Sequence, residues 1–89
     1  MALFRLGQVV STPAALEVCE AAGISPWELI RKHAYGDFGL VDKEDVQANQ
    51  DAIAYEDRIV SKYKVEKEYL YVITERDRSV TTVMLCSEY

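Results

Sequence analysis

The side-chain pattern of this chain changes character once, at Asp57–Arg58. Before that point, apolar residues recur three and four apart between Ser/Thr-Pro starts and glycine stops. After it, "RIVSKYKV", "YLYVIT" and "VTTVMLC" are rich in β-branched and aromatic residues. A stripe of helical period cannot be buried by a strand, nor an alternating one by a helix. Helices first and a sheet second make an α+β fold. With 89 residues the chain can bury one modest core. A single domain over 1–89 is expected, with 1–57 its helical half and 58–89 its β-sheet half.

"LFRLGQVV" is a short apolar stretch compatible with extended backbone. In "STPAALEVCEAAG", Ser11 or Thr12 can cap, Pro13 suits the first helical position and Gly23 the stop. Ala15, Leu16, Val18, Cys19 and Ala22 share one arc of that helix, away from Glu17 and Glu20. "SPWELIRKHAYG" repeats the grammar with Ser25, Pro26 and Gly36, and places Trp27, Ile30 and Ala34 on one face beside Leu29. A third helix runs from about Lys43 to Tyr55, capped by Asp42 with Asp45 three positions on. Its stripe is narrow, chiefly Val46 and Ile53, so it belongs at the periphery. In "RIVSKYKV", Ile59, Ser61, Tyr63 and Val65 alternate with Arg58, Val60, Lys62 and Lys64, giving one mostly apolar face and one basic face. "EKE" and "ERDRS" are links of hairpin length. The expected architecture is three N-terminal helices packed on one face of a C-terminal three-stranded antiparallel β-meander.

No apolar run nears the roughly 18 residues that a membrane span requires. The N-terminal stretch is broken by Arg5, Gln8 and Pro13, unlike a secretory leader. A cytoplasmic location is expected. Cys19 and Cys86 then read as buried or half-buried thiols. Two cysteines and one histidine without close spacing do not suggest a metal, and no cofactor is implied.

Motifs for catalysis are weak. "DFG" at Asp37–Gly39 matches the metal-binding triplet of protein kinases, but 89 residues cannot hold that domain, and a glycine-flanked turn is the better reading. His33 could serve as a general base, yet it lies at the margin of an apolar arc, as a structural histidine would. Arg76 and Arg78 with Ser79, Thr81 and Thr82 could hold a phosphate. Together with His33 they suggest a small barnase-like ribonuclease or toxin as an alternative function. The plain alternative is a charged hairpin turn in which Glu75 and Asp77 partner the arginines. Six tyrosines are many for this length, and Tyr69 and Tyr71 share a strand face that could act as a contact surface of an adaptor.

The net charge of −5 is concentrated in one place. Between residues 37 and 57 stand Asp37, Asp42, Glu44, Asp45, Asp51, Glu56 and Asp57 against Lys43 alone. A helix N-terminus favours Asp42, Glu44 and Asp45. It does not account for Asp51, Glu56 and Asp57 at the middle and end. Glu44 and Asp51 are seven apart, hence on one face and roughly 10 Å apart. Such a block argues against nucleic acid as a direct partner and for a basic protein surface.

The stretches "LGQVVSTP", "HAYGDFG", "VDKEDVQAN", "RIVSKY" and "VITERDRSVTTVML", with the final "EY", resemble a group of small bacterial proteins carried on plasmids and other mobile elements. That group carries Trp at the positions of Phe38 and Tyr71 and Pro near Cys86–Ser87. The first two departures are conservative, and the third bears on how the last strand ends. The resemblance covers the whole chain but implies no activity and no catalytic residue. By type, size and acidity are similar to phage and plasmid anti-defence proteins, including anti-CRISPR and anti-restriction proteins, some of which present acidic surfaces to a DNA-binding groove. The expected function is therefore that of a non-enzymatic inhibitor, monomeric or weakly dimeric, that mimics DNA. Its seven carboxylates would block a basic nucleic-acid-binding surface of a bacterial defence complex, such as a CRISPR effector subunit.

Overall fold

The computed structural model describes residues 2–89. In chain order the elements are β1 (Gln8–Ser11), α1 (Pro13–Ala22), α2 (Pro26–Ala34), α3 (Lys43–Tyr55), β2 (Ile59–Val65), β3 (Glu68–Thr74) and β4 (Val80–Leu85), closed by a 3-10 turn at Cys86–Glu88. The α+β character and all three long helices are as expected. The sheet is not a three-stranded meander. It has four strands in the order β1-β4-β3-β2. β2, β3 and β4 are antiparallel, while β1 pairs parallel with β4, Gln8 opposite Val80 and Ser11 opposite Val83. The helices are also not all N-terminal. β1 precedes them, in an apolar stretch expected to be extended but not to join the sheet, and the 3-10 turn follows the sheet.

Local chemistry sets the helix ends. Thr12 caps α1, its Oγ1 accepting from the Ala15 N–H at 3.2 Å, and Gly23 closes it in the left-handed conformation (φ 73°). Ser25 caps α2 through the Trp27 N–H. The Glu88 carboxylate accepts from the Thr12 hydroxyl and the Leu85 N–H, both at 2.8 Å, tying the chain end to the start of α1.

One sheet face carries Ile59, Ser61, Tyr63, Val65, Leu70, Val72, Thr74, Thr81 and Val83, all buried. α1 and α2 cover it with Ala15, Cys19, Leu29 and Ile30. Full burial of a side chain such as Leu70 or Val72 is worth about 1.5–3 kcal/mol relative to exposure. Trp27 and Leu16 depart from expectation. They are 60% and 41% exposed, because each helix gives the core only its innermost residues. α3 lies against the outer edge of β2, where Ala52, with Val46 and Ile53, packs on Phe38 and Ile59. Two helices therefore cover the sheet and the third borders it.

Candidate functional site

α3 carries most of the acidic block, and four polar devices hold it. Asp42 caps its start, its Oδ1 accepting from the Asp45 N–H at 2.9 Å, with Glu44 and Asp45 in the first turn. Midway, Asn49 is buried. Its Nδ2 donates to the Val60 carbonyl at 2.8 Å, and its Oδ1 accepts from the Val60 N–H at 3.1 Å. The side-chain amide thus stands in for one residue of an extra strand along β2. At the far end, Arg78 supplies the cation that α3 itself lacks in its last turn. Its guanidinium donates to the Ala52 carbonyl at 2.9 Å and the Asp57 carbonyl at 2.6 Å, and stacks over Phe4. The preceding turn is pinned as well. Asp37 Oδ1 accepts from the Gly39 N–H, and Gly39 (φ 74°) presses against the Lys62 carbonyl so closely that a Cβ would overlap it. The "DFG" triplet is this turn.

All seven carboxylates are exposed. Among the described residues the one ion pair is Arg58–Glu75 at 3.3 Å, so no lysine or arginine of the chain neutralises any of the seven through such a pair. They do not all share one side. Taking about 100° per residue, the buried Asn49 and Ala52 with the inward-packed Val46 and Ile53 define the inner face. Glu44 and Asp51 then point opposite, together with Gln47 and Tyr55, and Gln47 Nε2 donates to Asp51 Oδ1 at 3.0 Å. Tyr55 is 81% exposed beside them. Asp42 and Asp45 instead line a groove of about 550 Å³ between α3 and the outer sheet face, which also holds Arg58, Lys62, Val60 and Tyr71. Asp37 lies in the turn before α3, and Glu56 and Asp57 follow its C-terminal end.

The residues of the ribonuclease alternative do not assemble into an accessible site. His33 is 0% exposed. Its Nδ1 lies 2.6 Å from Ser61 Oγ and its Nε2 2.8 Å from Thr74 Oγ1. Thr74 Oγ1 is 2.7 Å from Thr81 Oγ1, and Thr81 donates to the Leu6 carbonyl at 2.7 Å. A carbonyl only accepts, so the proton directions along this chain are determined. Thr81 spends its one proton on Leu6 and must accept from Thr74. Thr74 in turn accepts from His33 Nε2–H, and because burial disfavours the charged ring, Nδ1 accepts from the Ser61 hydroxyl. His33 is thus a neutral imidazole inside a satisfied network, and burial pushes its pKa down to about 4. Arg78 is committed to α3, Arg76 is exposed, and Thr82 sits on the sheet face opposite Thr81.

Tyr69 and Tyr71 share the outer sheet face as expected. Tyr69 lies under Lys62 and Lys64, and Tyr71 packs edge-on against Tyr89. Cys19 is buried and Cys86 half-buried, both free thiols. Sequence reasoning missed Asn49 and Arg78 as the clamps of α3. Asn49 did leave a signal, since it falls between Ala52 and Val46 on the helical wheel, in the middle of the apolar stripe. No family model, curated protein or solved structure matches the chain.

Proposed function

We propose that this protein is a non-enzymatic interaction module whose third helix and flanking turns dock into a basic groove built for nucleic acid, on a bacterial defence or DNA-processing complex. The observation that carries the reading is a rigidly clamped peripheral helix whose carboxylates are solvent-exposed and free of internal ion pairs. The thirteen residues of α3 extend about 20 Å. Six carboxylates, Asp42 to Asp57, fall along that length and just beyond it, clustered toward its two ends with Asp51 between them. The block is sparser than duplex DNA, which carries about one charge per 1.7 Å of axis, but has the same sign and a similar reach. Glu44 and Asp51 form the outward ridge, and Tyr55 beside them supplies an aromatic surface that a partner can desolvate. Asp42 and Asp45 meet Arg58 and Lys62 across their groove, and Arg78 sits at the C-terminal end, so the unscreened field is strongest along the Glu44–Asp51 ridge.

The test is capture of partners from bacterial lysate at low and high salt, followed by competition with duplex DNA for the protein recovered. Charge-steered association weakens as salt rises. Reversing Glu44 and Asp51 to lysine should lower affinity at least tenfold while leaving the circular-dichroism spectrum and thermal midpoint close to the parent's. Undiminished binding by the double variant, or a partner indifferent to competing DNA, refutes the proposal.

A further inference from the structure

The two edges of the sheet are treated differently. At β2 the edge is occupied over Val60 and Lys62, leaving only Lys64 open. The Lys62 N–H donates to the Phe38 carbonyl at 3.0 Å, the Leu40 N–H donates to the Lys62 carbonyl at 2.7 Å, and Asn49 takes both polar groups of Val60. At β1 the Gln8 N–H donates to Ser79 and the Thr12 N–H to Val83, so residues 8, 10 and 12 turn toward β4. Val9 and Ser11 then turn their N–H and C=O groups outward. β1 is the terminal strand of the sheet, and among the described residues no further segment pairs with it.

Beside this open edge lies an apolar surface. Val10 and Leu16 are 37% and 41% exposed, and together with Val9, Ser11, Pro26 and Trp27 they line a hollow of about 220 Å³. A second hollow of about 340 Å³ continues past Trp27 to Leu6 and Tyr35. Trp27 stands between the two, open to solvent.

We infer that β1 pairs with β1 of a second copy of this chain, antiparallel about a two-fold axis at Val10, to form one continuous eight-stranded sheet. In that register Val9 of each copy lies opposite Ser11 of the other. The four outward N–H groups find the four outward carbonyls, and the two Val10 side chains meet as a close non-hydrogen-bonded pair. A strand edge is self-complementary only in such an isologous arrangement, which closes at two copies. The charge distribution permits contact at this edge. Residues 1–36 hold three acids and three bases, Glu28 and Arg31 place both signs beside Trp27, and Glu88 at Thr12 adds a single carboxylate. The acidic excess sits beyond β2, three inter-strand spacings or roughly 14 Å away. That exceeds the Debye length of about 8 Å at physiological salt, so two chains of net charge −5 meet here without strong repulsion.

Analytical ultracentrifugation of the full chain across a micromolar-to-millimolar series tests this. The expected mass rises from 10.1 kDa toward twice that value. Ser11→Pro removes an outward donor without touching a bond to β4, and Trp27→Glu charges the apolar surface. Each should hold the mass at the protomer's over the whole series. Should Ser11→Pro fail to fold by circular dichroism, Trp27→Glu at its exposed position decides alone. The Glu44→Lys/Asp51→Lys variant should dimerise like the parent, which separates this inference from the proposed function. A wild type that stays at protomer mass overturns the inference and leaves the edge to an extended peptide of another protein. A dimer that persists in folded Ser11→Pro and Trp27→Glu overturns it too, by placing the contact elsewhere.

Discussion

Lowering the pH should destabilise this protein through His33, and the size of the effect follows from its environment. The ring is 0% exposed, and its nitrogens are committed to Ser61 and Thr74 in a network suited to the neutral form. The folded pKa of about 4 lies below the ordinary value of 6.5. As pH falls, the unfolded chain binds its proton first, so stability is intact above 6.5 and is lost progressively from 6.5 down toward 4. Linkage puts the loss at about 2 kcal/mol by pH 5 and about 3 kcal/mol by pH 4. A domain of this length has roughly 4–13 kcal/mol in all, so the effect is readily measured. Urea unfolding of wild type and His33→Gln from pH 7.5 to 5 isolates it from the carboxylates, because glutamine offers a donor and an acceptor but does not titrate. The stability gap between the two proteins should narrow by about 2 kcal/mol over that range. Parallel losses, or a His33 ring resonance that titrates near 6.5 in the folded protein, would refute the reasoning.

The clamps of α3 make two further predictions. Arg78→Ala strips the hydrogen bonds to the Ala52 and Asp57 carbonyls and should cost about 1–3 kcal/mol. Amide exchange should quicken mainly in α3, and Arg78→Lys should not restore protection, because an ammonium lacks the guanidinium fork that spans both carbonyls. Gly39→Ala drives a Cβ into the Lys62 carbonyl at positive φ and should cost about 2–4 kcal/mol by thermal unfolding. Gly23→Ala, equally left-handed but with open space around it, should cost only about 1–2 kcal/mol. Equal losses at the two glycines would show that the close approach at β2 carries no weight.

The accuracy of the sequence reading divides along the range of the interaction concerned. The starts of all three helices were legible at Thr12–Pro13, Ser25–Pro26 and Asp42, because a cap bonds within three residues of itself. The inward face of β2, from Ile59 to Val65, was legible from alternation alone. The acidic block was visible as composition, but composition does not show on which side each carboxylate emerges. The histidine at the margin of an apolar arc was recognised as structural, while its complete burial depends on Ser61, Thr74 and Thr81, all more than twenty-five residues away.

By itself, then, the amino-acid order determined the starts of the three helices, the alternation of β2 and the concentration of negative charge between residues 37 and 57. Only the tertiary structure decided that four residues near the start join the sheet beside β4. It also decided that Arg78 reaches back to the end of α3, and that Asn49 rather than an apolar residue fastens that helix to β2. The reason is physical. Caps and alternation are satisfied by near neighbours in the chain, whereas a four-residue parallel strand or a lone buried amide gains its hydrogen bonds only once the rest of the fold has brought a partner to it.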